Sequence, residues 1–117
     1  MNGIPEETRY HLLKHLAEHP EASQRDLARE LDVSVGKVNY CINALIEKGL
    51  VKVRNFKNSR KKSAYLYVLT PRGLEEKVNL TYSFLRRKMA EYDLLTKEIE
   101  RLTTEVGELE RQQTGGK

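Results

Sequence analysis

Residues 23–50, SQRDLARELDVSVGKVNYCINALIEKGL, constrain this chain more than any other stretch. Ser23 opens a short helical pattern, with Asp26 three residues on in capping-box spacing. Leu27, Ala28 and Leu31 form the face expected to be buried. Asp32 and Val33 interrupt the pattern, with Val33 placed to plug the space between helices, and Ser34 caps a second helix. Along that helix Val38, Cys41, Ile42 and Leu45 recur at i, i+3, i+4 and i+7, one apolar stripe. Gly49 then stands where helices end in a left-handed residue.

Two amphipathic helices joined by so short a turn make a helix-turn-helix. A further helix precedes them. Pro5 with Glu6 and Glu7 is a favourable start, Leu12, Leu13, Leu16 and Ala17 form an apolar stripe, and Pro20 stops it. After Gly49, residues 50–54 and 64–69 read as two strands of a hairpin. Their connection, residues 56–63 or FKNSRKKS, is polar, basic and free of acid. Three helices and a basic hairpin in this order predict a winged helix-turn-helix, which lays the second helix of its pair in a DNA major groove.

The chain ends in a long helical pattern. Thr70 suits an N-cap and Pro71 a first helical position. The pattern continues to about Glu110, about 60 Å at the usual rise per residue. Val78, Leu85, Tyr92, Ile99 and Val106 share one heptad position, and Leu74, Leu95, Leu102 and Leu109 its companion. Thr81 and Lys88 break the second row, and Tyr82 and Met89 shift the stripe sideways. Two zones follow: a first that leans on the winged-helix body, and a second from Tyr92 onward that is a coiled-coil seam. A 70-residue body cannot cover a seam of this length, so Tyr92, Leu95, Ile99, Leu102, Val106 and Leu109 are expected to meet a second copy. The flanking charges form no complementary ladder, which leaves parallel and antiparallel pairing both open. The expected fold is mainly α with a small β-wing: a winged helix-turn-helix over residues 5–70, a dimerisation helix over 71–110 and a disordered tail over 111–117.

Charge follows the same division. Residues 1–72 carry 13 basic and 8 acidic side chains, and residues 73–117 carry 8 and 9. The excess positive charge lies in the first part, as expected if that part meets polyphosphate and the rest meets protein. The single cysteine, Cys41, has no internal partner, and no run approaches a membrane span. A cytoplasmic protein is expected.

Opposite the apolar stripe of the third helix stand Ser34, Val35, Gly36, Asn39, Tyr40 and Asn43, with Lys37 to one side. Asparagine can bond an adenine edge bidentately, lysine suits guanine or phosphate, and Gly36 permits close approach of a helix N-terminus. The bland alternative is a solvated helix face. In the wing, Lys52, Arg54, Lys57, Arg60, Lys61 and Lys62 fall within eleven acid-free residues, able to follow a phosphate strand or enter a minor groove. A solubilising loop more often mixes signs. His11, His15 and His19 lie at i, i+4 and i+8, but no second cluster supplies further ligands, so no metal site is expected. Cys41 reads as a core thiol rather than a sensor. Tyr65, Tyr67, Tyr82, Phe84 and Tyr92 read as packing between wing and long helix rather than as a ligand pocket. No nucleophile–base pair, phosphate loop or cofactor fingerprint stands out, so neither catalysis nor a cofactor is expected.

With LARELDVSVGKVNYCINALIEKGLV and the wing exit YLYVLTPRGLEEK in view, the chain resembles the MarR-like winged-helix regulators of bacteria. Within them it looks like a subgroup associated with exopolysaccharide gene clusters. The resemblance covers Pro5 to about Leu109, and EKGLV and LTPRG are its most telling pieces. It implies a homodimer that binds an operator with two recognition helices and regulates transcription. Ser34, Lys37, Asn39, Tyr40 and Asn43 then occupy the recognition face, and Arg60, Lys61 and Lys62 the wing tip. Members of the family typically dimerise through helices from both chain ends and often hold a small effector there. Here the N-terminal extension is absent, and no effector is assigned. Two other readings share much of this pattern: a winged-helix module that docks on protein, and a nucleic-acid-binding protein without sequence preference.

Overall fold

The computed structural model describes residues 4–56 and 64–115. Its order is α1 (Glu6–Glu18), α2 (Gln24–Leu31), α3 (Val35–Glu47), β1 (Val51–Phe56), β2 (Ala64–Leu69) and α4 (Pro71–Gly115). The chain forms two compact units, Met1–Tyr82 and Ser83–Lys117. The first is a winged helix: three helices and a two-stranded antiparallel hairpin.

Local chemistry explains each boundary. Ser23 and Asp26 form the reciprocal capping box. The Ser23 hydroxyl accepts from the Asp26 N–H at 3.1 Å, and the Asp26 carboxylate accepts from the Ser23 N–H at 3.0 Å. The Ser34 hydroxyl accepts from the Lys37 N–H at 3.0 Å and starts α3. At the end of α3 the Leu50 N–H donates to the Leu45 carbonyl and the Gly49 N–H to that of Ile46, both at 2.9 Å. This is a Schellman motif, closed by contact of buried Leu45 and Leu50, and it requires the positive φ of 77° at Gly49. Asp32 takes the same left-handed conformation, φ 57°, after α2.

The core is one cluster. Leu12, Leu13 and Leu16 of α1, Leu27 and Ala28 of α2, and Val38, Cys41, Ile42 and Leu45 of α3 are buried together with Ile4, Leu50, Val51 and Leu80. Leu31 and Val33 are half-buried against it. Ala17, expected in the α1 stripe, is exposed, because Leu16 is the last α1 residue to reach the core. In the hairpin Val51 pairs with Leu69 and Phe56 with Ala64, so β1 runs two residues past Arg54. The outer edge of β2 is not left open: the Tyr67 N–H donates to the Pro20 carbonyl at 3.2 Å.

The first turns of α4 belong to the winged-helix unit, although not through the heptad rows. Leu74 and Val78 are about half exposed, at 52 and 53%, whereas Gly73 and Leu80 are buried. The contact of α4 with the body therefore uses a face rotated away from the rows read in the sequence. Arg9 of α1 pairs with Glu76 across this contact at 3.3 Å. α4 extends to Gly115, past the Glu110 at which the sequence pattern fades. Among the described residues no helix is long and apolar enough to cross a membrane.

Candidate nucleic-acid interface

α3 has two chemically distinct faces. Val38, Cys41, Ile42 and Leu45 enter the core, while Val35, Gly36, Lys37, Asn39, Tyr40 and Asn43 are open to solvent. The helix carries no acid before Glu47. Ser34, also exposed, has its hydroxyl engaged by the Lys37 N–H, so its part in the interface is first to start the helix. Gly36 leaves space above the first turn: an added Cβ would meet no atom nearer than the Ser34 Oγ at 3.9 Å.

The exposed amides of α3 are tied into a row. Asn43 Nδ2 donates to Asn39 Oδ1 at 3.1 Å, and Asn39 Nδ2 donates to Gln24 Oε1 at 3.3 Å. Gln24 Nε2 in turn donates to the Tyr67 hydroxyl at 3.1 Å. Three elements, α3, α2 and β2, thus hold one polar row. A side-chain amide offers two N–H donors and two acceptor lone pairs. Asn39 gives one of each to its neighbours, which leaves one of each, the pair needed to read an adenine edge. The sequence offers no reading for Gln24, and it places Tyr67 only as packing between wing and long helix. The signal for Gln24 is its place as first residue inside the Ser23 cap; no local pattern gives the partner of Tyr67.

On the hairpin, Lys52 and Arg54 are exposed on β1, with Arg54 opposite Leu66. Lys57, Arg60, Lys61 and Lys62 lie outside the described residues. The expected seam residues Tyr92, Leu95, Ile99, Leu102, Val106 and Leu109 are each more than half exposed in the single chain. Tyr82 and Tyr92, which the sequence suggested as packing residues, are exposed too, at 60 and 69%. Tyr67 is half-buried against the core, and Phe84 lies under Arg87 and Lys88, 5.8 and 5.2 Å from the ring centre. Cys41 is 2% exposed, and burial pushes its thiol up, with Lys37 opposing weakly, which suits a core residue rather than a reactive one.

Residues 5–52 match the family model described as winged helix-turn-helix DNA-binding. No curated protein sequence matches the chain. Among solved structures it is similar to the zinc-dependent MarR family regulator AdcR in its Zn(II)-bound state: 25% identity, 93% of this chain, 78% of that one, TM-score 0.59. It is also similar to a MarR/EmrR family transcriptional regulator from Acinetobacter sp. ADP1, with 23% identity, 92% and 79% coverage and TM-score 0.58. A transcriptional regulator homologue from Pyrococcus horikoshii OT3 aligns at 23% identity over 74% of this chain and 84% of its own, TM-score 0.56. These likenesses establish the winged-helix fold.

Proposed function

We propose that this winged helix-turn-helix protein is a sequence-specific DNA-binding transcriptional regulator that grips a two-fold symmetric operator as a homodimer. The observation that carries the reading is the acid-free, amide-bearing face of α3, held from behind by Gln24 and Tyr67 and standing on a fully buried apolar stripe. In this reading α3 lies in the major groove, and Asn39 and Asn43 read base edges. Lys37, Arg54 and the wing cations Lys57, Arg60, Lys61 and Lys62 hold phosphates, so affinity comes mainly from charge and choice of sequence from α3. The C-terminal seam brings the two α3 helices to successive half-sites. Control of exopolysaccharide genes rests on the sequence resemblance, and the genes beside the coding sequence test it.

The test is selection of bound fragments from genomic DNA at two salt concentrations. Recovery of a palindromic site supports the reading. Salt-sensitive recovery without sequence preference points to a packaging protein, and no recovery at low salt points to a protein-docking module. On a recovered site, Asn43→Ala is expected to reduce discrimination by ~1–3 kcal/mol with the fold intact. Equal losses on operator and random duplex remove its base-reading role.

A further inference from the structure

The last turn of α1 reads HLAEH, residues 15–19, which places His15, Glu18 and His19 at i, i+3 and i+4 on one side of the helix. In the structure one donor atom from each lies within 4.8 Å of the other two. Folding brings further carboxylates beside these histidines, from α2 and the turn before it. Glu30 Oε1 comes to 3.8 Å from His15 Nε2, and Glu21 Oε1 to 3.8 Å from His19 Nδ1. All of these except Glu18 line one cleft of about 330 Å³ between α1 and α2, with Ala22, Asp26 and Arg29 completing its wall.

We infer that this corner is a binding site for a divalent transition metal of the zinc type, with His15 and His19 as nitrogen ligands and Glu18 and Glu30 as oxygen ligands. Two imidazoles and two carboxylates are a donor set that zinc takes in tetrahedral geometry, at roughly 2.0–2.2 Å from each atom. Closing the donors to that distance needs rotamer changes in side chains that are mostly half exposed: 55% for His19, 49% for Glu18 and 64% for Glu30. His15, at 22%, is the anchored member.

The remaining charges are accounted for. Lys14 sits 3.2 Å from Glu18, so the metal displaces Lys14 from this ligand. Asp26 is engaged by the Ser23 N–H and by Arg29 at 3.8 Å, which leaves it in the wall and not in the ligand set. Glu21 adds negative potential beside His19. A bound ion would tie α1 to α2, the helix whose first residue, Gln24, supports Asn39 of α3. Binding energy at the corner thereby becomes folding energy of the helix-turn-helix. The inference does not depend on whether the chain binds DNA.

The experiment is titration of the untagged protein with Co²⁺, followed by competition with Zn²⁺, at a pH where imidazole is neutral. The expected result is one equivalent of Co²⁺ with the visible absorption of a tetrahedral site, displaced by Zn²⁺, and a melting temperature raised by several degrees. His19→Ala and Glu30→Gln, both at exposed positions, are each expected to weaken binding at least about tenfold, with unchanged helical circular dichroism in the metal-free state. Absence of saturable binding overturns the site, as does wild-type affinity in both variants. Loss in His19→Ala with wild-type affinity in Glu30→Gln overturns the bridge between the helices.

Discussion

Gly73 and Gly36 are both helical glycines, and their surroundings give them opposite roles. A Cβ at Gly73 would collide with the Leu50 carbonyl oxygen and crowd the carbon that bears it. Backbone cannot rotate aside as a side chain can, so Gly73→Ala is expected to cost ~2–3 kcal/mol in denaturant unfolding. A loss below half a kcal/mol would show that α4 slides at this contact. At Gly36 the space is open, and alanine is the better helix former. Gly36→Ala should therefore stabilise the fold by ~0.5–1 kcal/mol and, under the proposed function, weaken operator binding, because the methyl would stand at the helix start proposed to meet DNA. Gain in both quantities would take Gly36 out of the interface. Cys41 supplies a third expectation. Its thiol should react with iodoacetamide at the rate of global opening, far below a free thiol, since burial raises its pKa and removes access.

At the scale of elements, the caps can be titrated. The Asp26 carboxyl lies below the usual aspartate range, chiefly because the Ser23 N–H and then the Ser23 hydroxyl bond to it. A depressed folded pKa means that this contribution is present above the unfolded value, about 3.9, and is lost as pH falls through the folded one. Ser23→Ala removes the hydroxyl but keeps the backbone N–H, so it should shrink that acid limb rather than abolish it and cost ~1 kcal/mol near neutral pH, read from unfolding curves across pH 2 to pH 6 at roughly unit steps. An acid limb unchanged by the substitution would assign it to other carboxylates. The wing has its own signature. Replacing Lys57, Arg60, Lys61 and Lys62 by alanine should flatten the salt dependence of DNA binding by about three to four in slope for each protomer, about seven for the proposed dimer, leaving stability unchanged. An unaltered slope would leave the wing off the phosphates.

What the sequence disclosed, and what it hid, divides by range of interaction. Ser23, Ser34, Gly49 and Thr70 announced their caps because a cap is decided within four residues. The buried faces of α2 and α3 followed from periodicity in the same way. The contact of α4 with the body did not, because the heptad rows pointed to Leu74 and Val78 while tertiary geometry selected Gly73 and Leu80. In the interface, Lys37, Asn39, Tyr40 and Asn43 were visible as the polar side of one helix. Gln24 and Tyr67 were not, since their bonds span 15 and 43 residues and no local pattern encodes them. Glu30 was missed beside His15 for the same reason.

For the whole molecule, the decisive expectation concerns the seam of α4. Leu95, Ile99, Leu102, Val106 and Leu109, each more than half exposed, are costly in water and become favourable when a second helix covers them. Leu95→Asp combined with Leu102→Asp should yield a monomer in sedimentation and lower operator affinity by two orders of magnitude or more, through loss of the second half-site. Sedimentation unchanged from the native chain would refute the coiled-coil dimer. Cooperativity within the first unit turns on a smaller feature, the Thr70 side chain. Its hydroxyl donates to the Gly49 carbonyl at 2.6 Å and accepts from the Gly73 N–H at 3.0 Å, while its own N–H reaches the Leu50 carbonyl at 3.0 Å. One residue thus joins the end of α3, the exit of β2 and the start of α4. None of the three can fray alone, and the amides of Thr70 and Gly73 should exchange with deuterium as slowly as those of buried α3, in a single cooperative opening.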